Sequence, residues 1–412
     1  VQYSCGMRHN GDETFTQRLG LRCLMKLLDL PFLADITAIR RDIHAHPELA
    51  FEESRTADVV AHTLESYGIE VHRGLAGTGV VGVIKGAHGT STRMVGLRAD
   101  IDALPMPELN EFPHRSRHAG KMHACGHDGH TAMLLGAARY LSEHRDFDGT
   151  VILIFQPAEE GEGGARVMIE QGLFQQFPVE AVFGLHNWPG LPVGSMAIMP
   201  GPVMAGTCGL EILIRGHGCH AAMPHQGVDT ILVGTQIIQA LQTVVSRNLH
   251  PCDAGVVSVT QFHAGDAWNV IPEDAVLRGT IRTFKPEVQQ LVETRIQEIC
   301  TGIAATFGAQ IEVRFEQRYP PTVNSADESH FCQHVATQLL GTDHVIKDAL
   351  PSMGAEDFAY MLLEKPGCYV WLGNGPGEGG CTLHNPHYDF NDDITAIGIS
   401  YWVKLARDFL AR

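Results

Sequence analysis

Residues 151–161 read VILIFQPAEEG: five large apolar residues in a row, then a Gln, a Pro and two Glu before a Gly. A short run this apolar, rich in β-branched residues and stopped by Pro, predicts a strand buried on both faces. Strands of that kind belong to parallel sheets covered by helices. In such sheets ligands bind at the carboxyl ends of the strands, and Glu159 and Glu160 stand at that end.

Working outward, the same pattern recurs. GVVGVIKG (79–86), RMVGLRADID (93–102) and AVFGLHNWPG (181–190) read as strands, the last two ending in polar residues. Between them MHACGHDGH (122–130) leads into TAMLLGAARYLSEH, and GGARVMIEQG (163–172) follows the two Glu; both have helical spacing of small and apolar residues. From Ile36 to Gly68 the pattern suits two helices with the acidic stretch PELAFEES between them. Strands alternating with helices imply an α/β domain with a mixed, mostly parallel sheet flanked by helices.

A second pattern starts near Ala205. GLEILIRG, VDTILVGTQIIQALQTVV, GVVSVTQFHAG, DAVLRGTIRTF, PEVQQLVETRIQEICTGIAATF and AQIEVRFEQ alternate as βαββαβ. That order predicts a ferredoxin-like α+β unit. Later segments, GCYVWLGNG and LHNPHYDFND with a closing helix, return to the first pattern. The expected organisation is therefore an N-terminal extension (1–35), a first part of the large domain (36–204), an inserted domain (205–319) and the rest of the large domain (320–412). The leading run LRCLMKLLDLPFL is broken by Lys26 and Asp29 and is expected to be an amphipathic helix rather than a membrane span.

The 412 residues carry a formal net charge of -17, which disfavours nucleic acid and anionic membranes as partners. The ten Cys are scattered singly, as in a chain from a reducing compartment, and a cytoplasmic location is expected.

Polar residues at the strand ends are the candidates for chemistry. Cys125 and His127 flank a Gly before a helix, and thiolate and imidazole are good ligands for transition metals. Two like charges at Glu159 and Glu160 are costly at a buried strand end unless a cation is present. One can hold a metal while the other handles the attacking water. His186 and His384 also sit in strand-end or loop positions. Cys125, His127, Glu160, His186 and His384 are more protein ligands than one tetrahedral ion needs, which suggests two metals. Asp100 and Asp102 suit turn capping or pairing with Arg98 as well as a catalytic part, and His123, Asp128 and His130 are further polar candidates near the ligand loop.

These segments, together with RRDIHAHPELAFEE (40–53), HAAMPHQGVD (220–229), NVIPEDAVLRGTIRTF (269–284) and MGAEDFAYM (353–361), resemble metallopeptidase family twenty. Within it the chain is most similar to the branch of hippurate hydrolases, N-acyl-amino-acid amidohydrolases and auxin-conjugate hydrolases. The resemblance runs from about Ile36 to the C-terminus in the family's order. It implies a zinc-exopeptidase-like domain with an inserted lid and dimerisation domain, and a homodimer or homotetramer. It also implies two divalent ions, zinc, manganese, cobalt or nickel, held by Cys125, His127, Glu160, His186 and His384. Cys125 stands where the wider family has a bridging Asp, and Glu159 matches its general base. Asp102 matches an Asp that orients a ligand or tunes that base. Asp100 stands where the wider pattern has a His ligand, so it is left out of the metal set. In the insert, His220 matches a His that polarises the scissile carbonyl, sometimes from a partner subunit, and Asn269 and Arg282 match residues that hold the substrate end. The implied reaction is metal-dependent hydrolysis of an N-acyl amino acid. A dipeptidase using the same site, a carbamoyl-amide hydrolase and a non-catalytic metal-binding protein are the alternatives.

Overall fold

In a computed structural model the chain is described over residues 25–375 and 382–411. Most of the expected N-terminal extension lies outside these residues. Its described part corrects one expectation, because Met25–Phe32 is not helical. Tertiary contacts replace helical ones: the Lys26 amide donates to the Leu339 carbonyl at 2.9 Å and the Leu28 amide to Ser400 Oγ at 3.1 Å. Met25, Leu30 and Phe32 are buried in the main core, and Pro31 lacks the amide a helix would need there.

The described residues form two compact units. The first takes in the chain up to Met199, Ser325–Ala349 and the described residues after Lys365; the second is Pro200–Asn324 with Leu350–Glu364. In chain order the first unit begins with α1 (Leu33–Ala45), α2 (Ser54–Ser66), β1 (Glu70–Leu75), β2 (Gly79–Lys85), β3 (Met94–Asp100) and α3 (His127–Glu143). It continues with β4 (Thr150–Gln156), α4 (Gly164–Glu170), α5 (Leu173–Gln176), β5 (Ala181–Pro189) and β6 (Met196–Ala197). The second unit then supplies β7 (Gly201–Met204), β8 (Gly206–Arg215), β9 (Cys219–His220), α6 (Thr230–Thr243), β10 (Gly255–Ala264) and β11 (Val270–Ile271). After these come β12 (Asp274–Thr283), α7 (Pro286–Phe307), β13 (Gln310–Gln317) and β14 (Thr322–Asn324). The last elements are α8 (Ala326–Leu340), β15 (Val345–Ile346), α9 (Phe358–Glu364, in the second unit), β16 (Gly367–Gly375) and α10 (Thr395–Leu410).

The first unit is built on a sheet in the order β1-β2-β4-β3-β5-β16-β6-β15. Its centre, β4, β3, β5 and β16, is parallel. Those strands are buried on both faces, as their continuous apolar runs require. Helix α3 carries TAMLLGAA, all buried, so this middle part of the helix is covered all round, and it packs between the sheet, α1 and α10.

In the second unit β8, β10, β12 and β13 form an antiparallel sheet in the order β10-β12-β8-β13, with α6 and α7 packed on it. This is the expected βαββαβ arrangement. Asp229 caps α6 by accepting from the Ile231 and Leu232 amides at 2.9 and 3.1 Å, and Pro286 opens α7.

Candidate metal centre

Three neighbouring parallel strands, β4, β3 and β5, bring their carboxyl ends together in the first unit. β3 ends at Asp100, and the chain leaves it through Asp102. β5 carries His186 near its end. Glu159 and Glu160 follow the end of strand β4, where the sequence puts them. That strand stops at Gln156, because Pro157 has no amide to continue the ladder, and Ala158 turns with φ 55°. The two Glu therefore sit on the turn, pointing as the turn dictates rather than as the pleat would.

Helix α3 starts at His127, so Cys125 and His127 flank its cap residue, Gly126. Gly126 between them has φ 96°, and a Cβ there would lie 2.1 Å from Asn187 Oδ1 and 2.7 Å from Tyr388 Oη. Only glycine allows the ligand loop to lie this close to β5 and the C-terminal segment.

Two groups of metal-ligand atoms share Cys125. Cys125, His127 and His186 form one; Cys125, Glu160 and His384 form the other, each with donor atoms within 4.8 Å of one another. His127, Glu159 and Glu160 form a third overlapping set, which puts Glu159 beside both. Cys125 Sγ is 3.4 Å from His186 Nε2, and His384 Nε2 is 3.3 Å from Glu160 Oε1. Asp102 reaches two of these residues. It accepts from His127 Nδ1 at 3.2 Å and from the Glu160 amide at 2.9 Å.

The residues fit divalent cations. His127 Nε2 and Glu160 Oε1 are buried without a hydrogen-bond partner, and both residues belong to these groups. Burial, and then the carboxylates of Glu160, Glu159 and Asp100, push the Cys125 thiol well above its ordinary range. A thiolate there needs a cation beside it. Burial would lower the His127 pKa, but Asp100, Asp102 and Glu160 outweigh it and push it up to about 10. So much negative charge draws a proton where a metal would otherwise sit. Burial and the neighbouring His130 hold His186 well below its ordinary value, as the neutral imidazole a metal requires.

The remaining polar candidates form supports behind this cluster. Asp100 pairs with Arg98 Nη1 at 2.7 Å and with His130 Nδ1 at 2.6 Å. Burial would raise its pKa, but His127, His130 and Arg98 hold it far down, so it stays charged. His130 Nε2 lies 2.7 Å from Asn187 Oδ1, and Asn187 Nδ2 donates to Tyr388 Oη at 2.5 Å. Asp128 accepts from Arg40 at 3.2 Å and pairs with His44 at 2.9 Å, while Arg40 also holds Asp389 and Asp392. Burial would lower the His44 pKa, but Asp128 and Glu108 push it up to about 9, which keeps the pair charged. His123 is buried without a hydrogen-bond partner, and burial drives its pKa down to about 4. Asn187, Tyr388 and Glu53 carry no signal of their own in the sequence beyond lying in AVFGLHNWPG, LHNPHYDFND and PELAFEES.

The second unit brings two further candidates together. β9 and β11 pair, setting His220 opposite Val270, and the Ala221 amide donates to the Asn269 carbonyl at 2.9 Å. His220 Nδ1 accepts from the Ala222 amide at 3.0 Å, which leaves Nε2 as the ring nitrogen turned outward from that turn. Arg282 lies on β12, donates to Thr280 Oγ1 and to the Ile281 carbonyl, and has no carboxylate partner among the described residues. Burial, with Arg318 nearby, lowers its pKa.

The model of peptidase family M20/M25/M40 matches residues 96–408. A hippurate hydrolase of Campylobacter jejuni is 40% identical over 390 residues, covering 95% of this chain and 100% of that protein. An N-acetylcysteine deacetylase of Bacillus subtilis is 40% identical over 383 residues, covering 92% and 98%. Among solved structures, the Bacillus subtilis YXEP protein, a dinuclear metal-binding peptidase, superposes with a TM-score of 0.81 at 37% identity, covering 93% of this chain and 99% of that one.

Proposed function

The chain belongs to peptidase family M20/M25/M40 and is a hydrolase of amide bonds, and on that premise we propose that it cleaves N-acylated amino acids, hippurate-like or N-acetylated, to a carboxylic acid and a free amino acid. The observation that carries the reading is the pair of ligand groups sharing Cys125 with Glu159 beside them.

We assign two divalent ions, drawn from zinc, manganese, cobalt and nickel, to Cys125, His127, Glu160, His186 and His384. A shared thiolate supports these softer ions over magnesium or calcium. When bound, the ions would lower the pKa of water at the site and polarise the scissile carbonyl. Glu159 takes the proton of the attacking water and returns it to the leaving amine. Asp102 holds His127 by Nδ1, leaving Nε2 for ligation. His220 offers Nε2–H to the oxygen that gains charge in the transition state. Arg282, free of any carboxylate partner among the described residues, receives the substrate carboxylate, and Asn269 orients the same end.

The second unit would also carry assembly into a homodimer or homotetramer. Its four-stranded sheet ends in β10 and β13, and open strand edges are templates for pairing. Sedimentation velocity tests this, and a monomer at micromolar concentration sinks it. No described helix is long and apolar enough to cross a membrane. The described cysteines form no disulfide, which supports a cytoplasmic location.

The reaction is tested by amine release from hippurate and a panel of N-acetyl amino acids, using chelator-treated and metal-restored protein. Release that returns only with metal is expected. Release from dipeptides alone would replace this reading with a peptidase, and no release from either would leave a binding protein.

A further inference from the structure

Glu159 sits between two backbone amides that are each held by a buried carboxylate. On its C-terminal side the Glu160 amide donates to Asp102 Oδ2 at 2.9 Å. On its N-terminal side the Ala158 amide donates to Glu53 Oε1 at 2.9 Å. Glu53 lies just before α2, far from the turn in sequence, and is fully buried. Its other contacts are complete: Oε1 also accepts from the Phe51 amide at 3.0 Å, and Oε2 accepts from Thr78 Oγ1 at 2.6 Å.

Four described non-glycine residues have positive φ: Phe51, Ala76, Ala158 and His384. Two of them, Phe51 at 62° and Ala158 at 55°, give their amides to the same oxygen of Glu53. An alanine in the left-handed region is unfavourable and persists only where its surroundings over-determine it. Glu53 is one such restraint. The other is Gly164, whose amide donates to the Ala158 carbonyl at 2.9 Å and whose Cβ, were it present, would lie 1.8 Å from the Pro157 carbonyl oxygen.

We propose that Glu53 is a positioning residue for Glu159: by holding the Ala158 amide it fixes the left-handed turn that aims the general base. The proposal rests on the reading of Glu159 as that base. Glu53 belongs to none of the metal-ligand groups, so its loss misdirects Glu159 without removing a ligand.

The test compares Glu53→Ala with Glu53→Gln in the metal-loaded, full-length protein. Gln keeps an oxygen for the Ala158 and Phe51 amides and turns its NH2 toward Thr78 Oγ1. For Glu53→Ala, kcat should fall about 10–100-fold, as for a small misplacement of a reacting group. KM should stay within about threefold and metal content should not change. Glu53→Gln should recover kcat to within about threefold of wild type. Hydrogen exchange of the amides from Ala158 to Gly161 should speed up at least about tenfold in Glu53→Ala and not in Glu53→Gln. If Glu53→Ala does not fold, Glu53→Asp, which withdraws the oxygens by one methylene, gives the same readouts. Unchanged kcat, a Gln variant as impaired as the Ala variant, or metal lost along with activity would each overturn the proposal. If the wild type releases no amine from any N-acyl amino acid, the substrate reading fails instead, and the exchange comparison decides alone: unchanged exchange overturns the positioning role.

Discussion

The His384 amide donates to the carbonyl of Ala124 at 2.8 Å. This one bond joins the C-terminal segment to the residue before Cys125, and it explains how Cys125 and His384, so far apart in the chain, meet. His384 is held at φ 61°, with its ring half exposed and its Nε2 turned to Glu160. The bond fixes the backbone here while the ring stays on the solvent-facing side of the cluster.

The segment is also held from behind by Tyr388, whose hydroxyl accepts from buried Asn187. Tyr388→Phe leaves the Asn187 amide without that partner, which costs about 1–3 kcal/mol. The denaturation midpoint should fall accordingly, and binding of the more weakly held ion should loosen. An unchanged midpoint would mean the bond contributes nothing.

Glu159→Gln removes the proton acceptor but keeps the size of the side chain. Amine release should drop about 10²–10⁴-fold, the usual worth of general acid–base catalysis. Metal content, read by elemental analysis, should stay at the wild-type value. Metal lost together with activity would make Glu159 a ligand rather than the base.

Much of this was legible beforehand because the signals were local. The continuous apolar run of β4, the helical spacing of α3 and the βαββαβ order of the second unit each follow from periodicity. That Cys, His and Glu side chains gather beyond the ends of parallel strands was legible too, since such residues have few cheap structural uses there. Long-range hydrogen bonds were not legible. The Lys26 and Leu28 amides find partners on α8 and α10, so a stretch that looks helical by pattern is not helical. Nothing in the spacing of PELAFEES ties Glu53 to Ala158, because that bond depends on how two distant turns meet.

Arg282→Ala should weaken kcat/KM for substrates with a free carboxylate about 10–100-fold, since a charge-assisted pair is worth roughly 1.5–3 kcal/mol. Substrates with an amidated carboxyl end should be nearly unaffected. Arg282→Lys should recover little, because a single ammonium lacks the two parallel donors. Equal loss on both kinds of substrate would place Arg282 in the structure of β12 instead.

Glu53 also gives a pH dependence. Burial and the nearby Asp102 outweigh its hydrogen bonds and push its pKa from 4.5 up to about 7. Its folded-state pKa is raised, so its contribution to stability is fully present below about pH 4.5 and is lost as pH rises through 7. Glu53→Gln does not titrate. Its stability relative to wild type should therefore rise between pH 5 and pH 8, by up to about 3 kcal/mol at roughly 1.4 kcal/mol per unit. Unfolding free energies at the two pH values measure this, and a constant difference refutes it.

Cys125 belongs to both ligand groups, whereas His186 belongs to one and His384 to the other. Titration of metal into chelator-treated variants should expose that pattern. His186→Ala and His384→Ala should each weaken one of two binding steps, and Cys125→Ala should weaken both, by at least about 10–100-fold, since losing a ligand costs no less than losing its support. Cys125→Asp should keep both steps and move the preference from zinc toward manganese, because a carboxylate is a harder donor than a thiolate. The result that would defeat the shared-ligand arrangement is a Cys125→Ala protein in which only one step changes. Cys125 would then serve a single ion, and the second group would need another donor in its place.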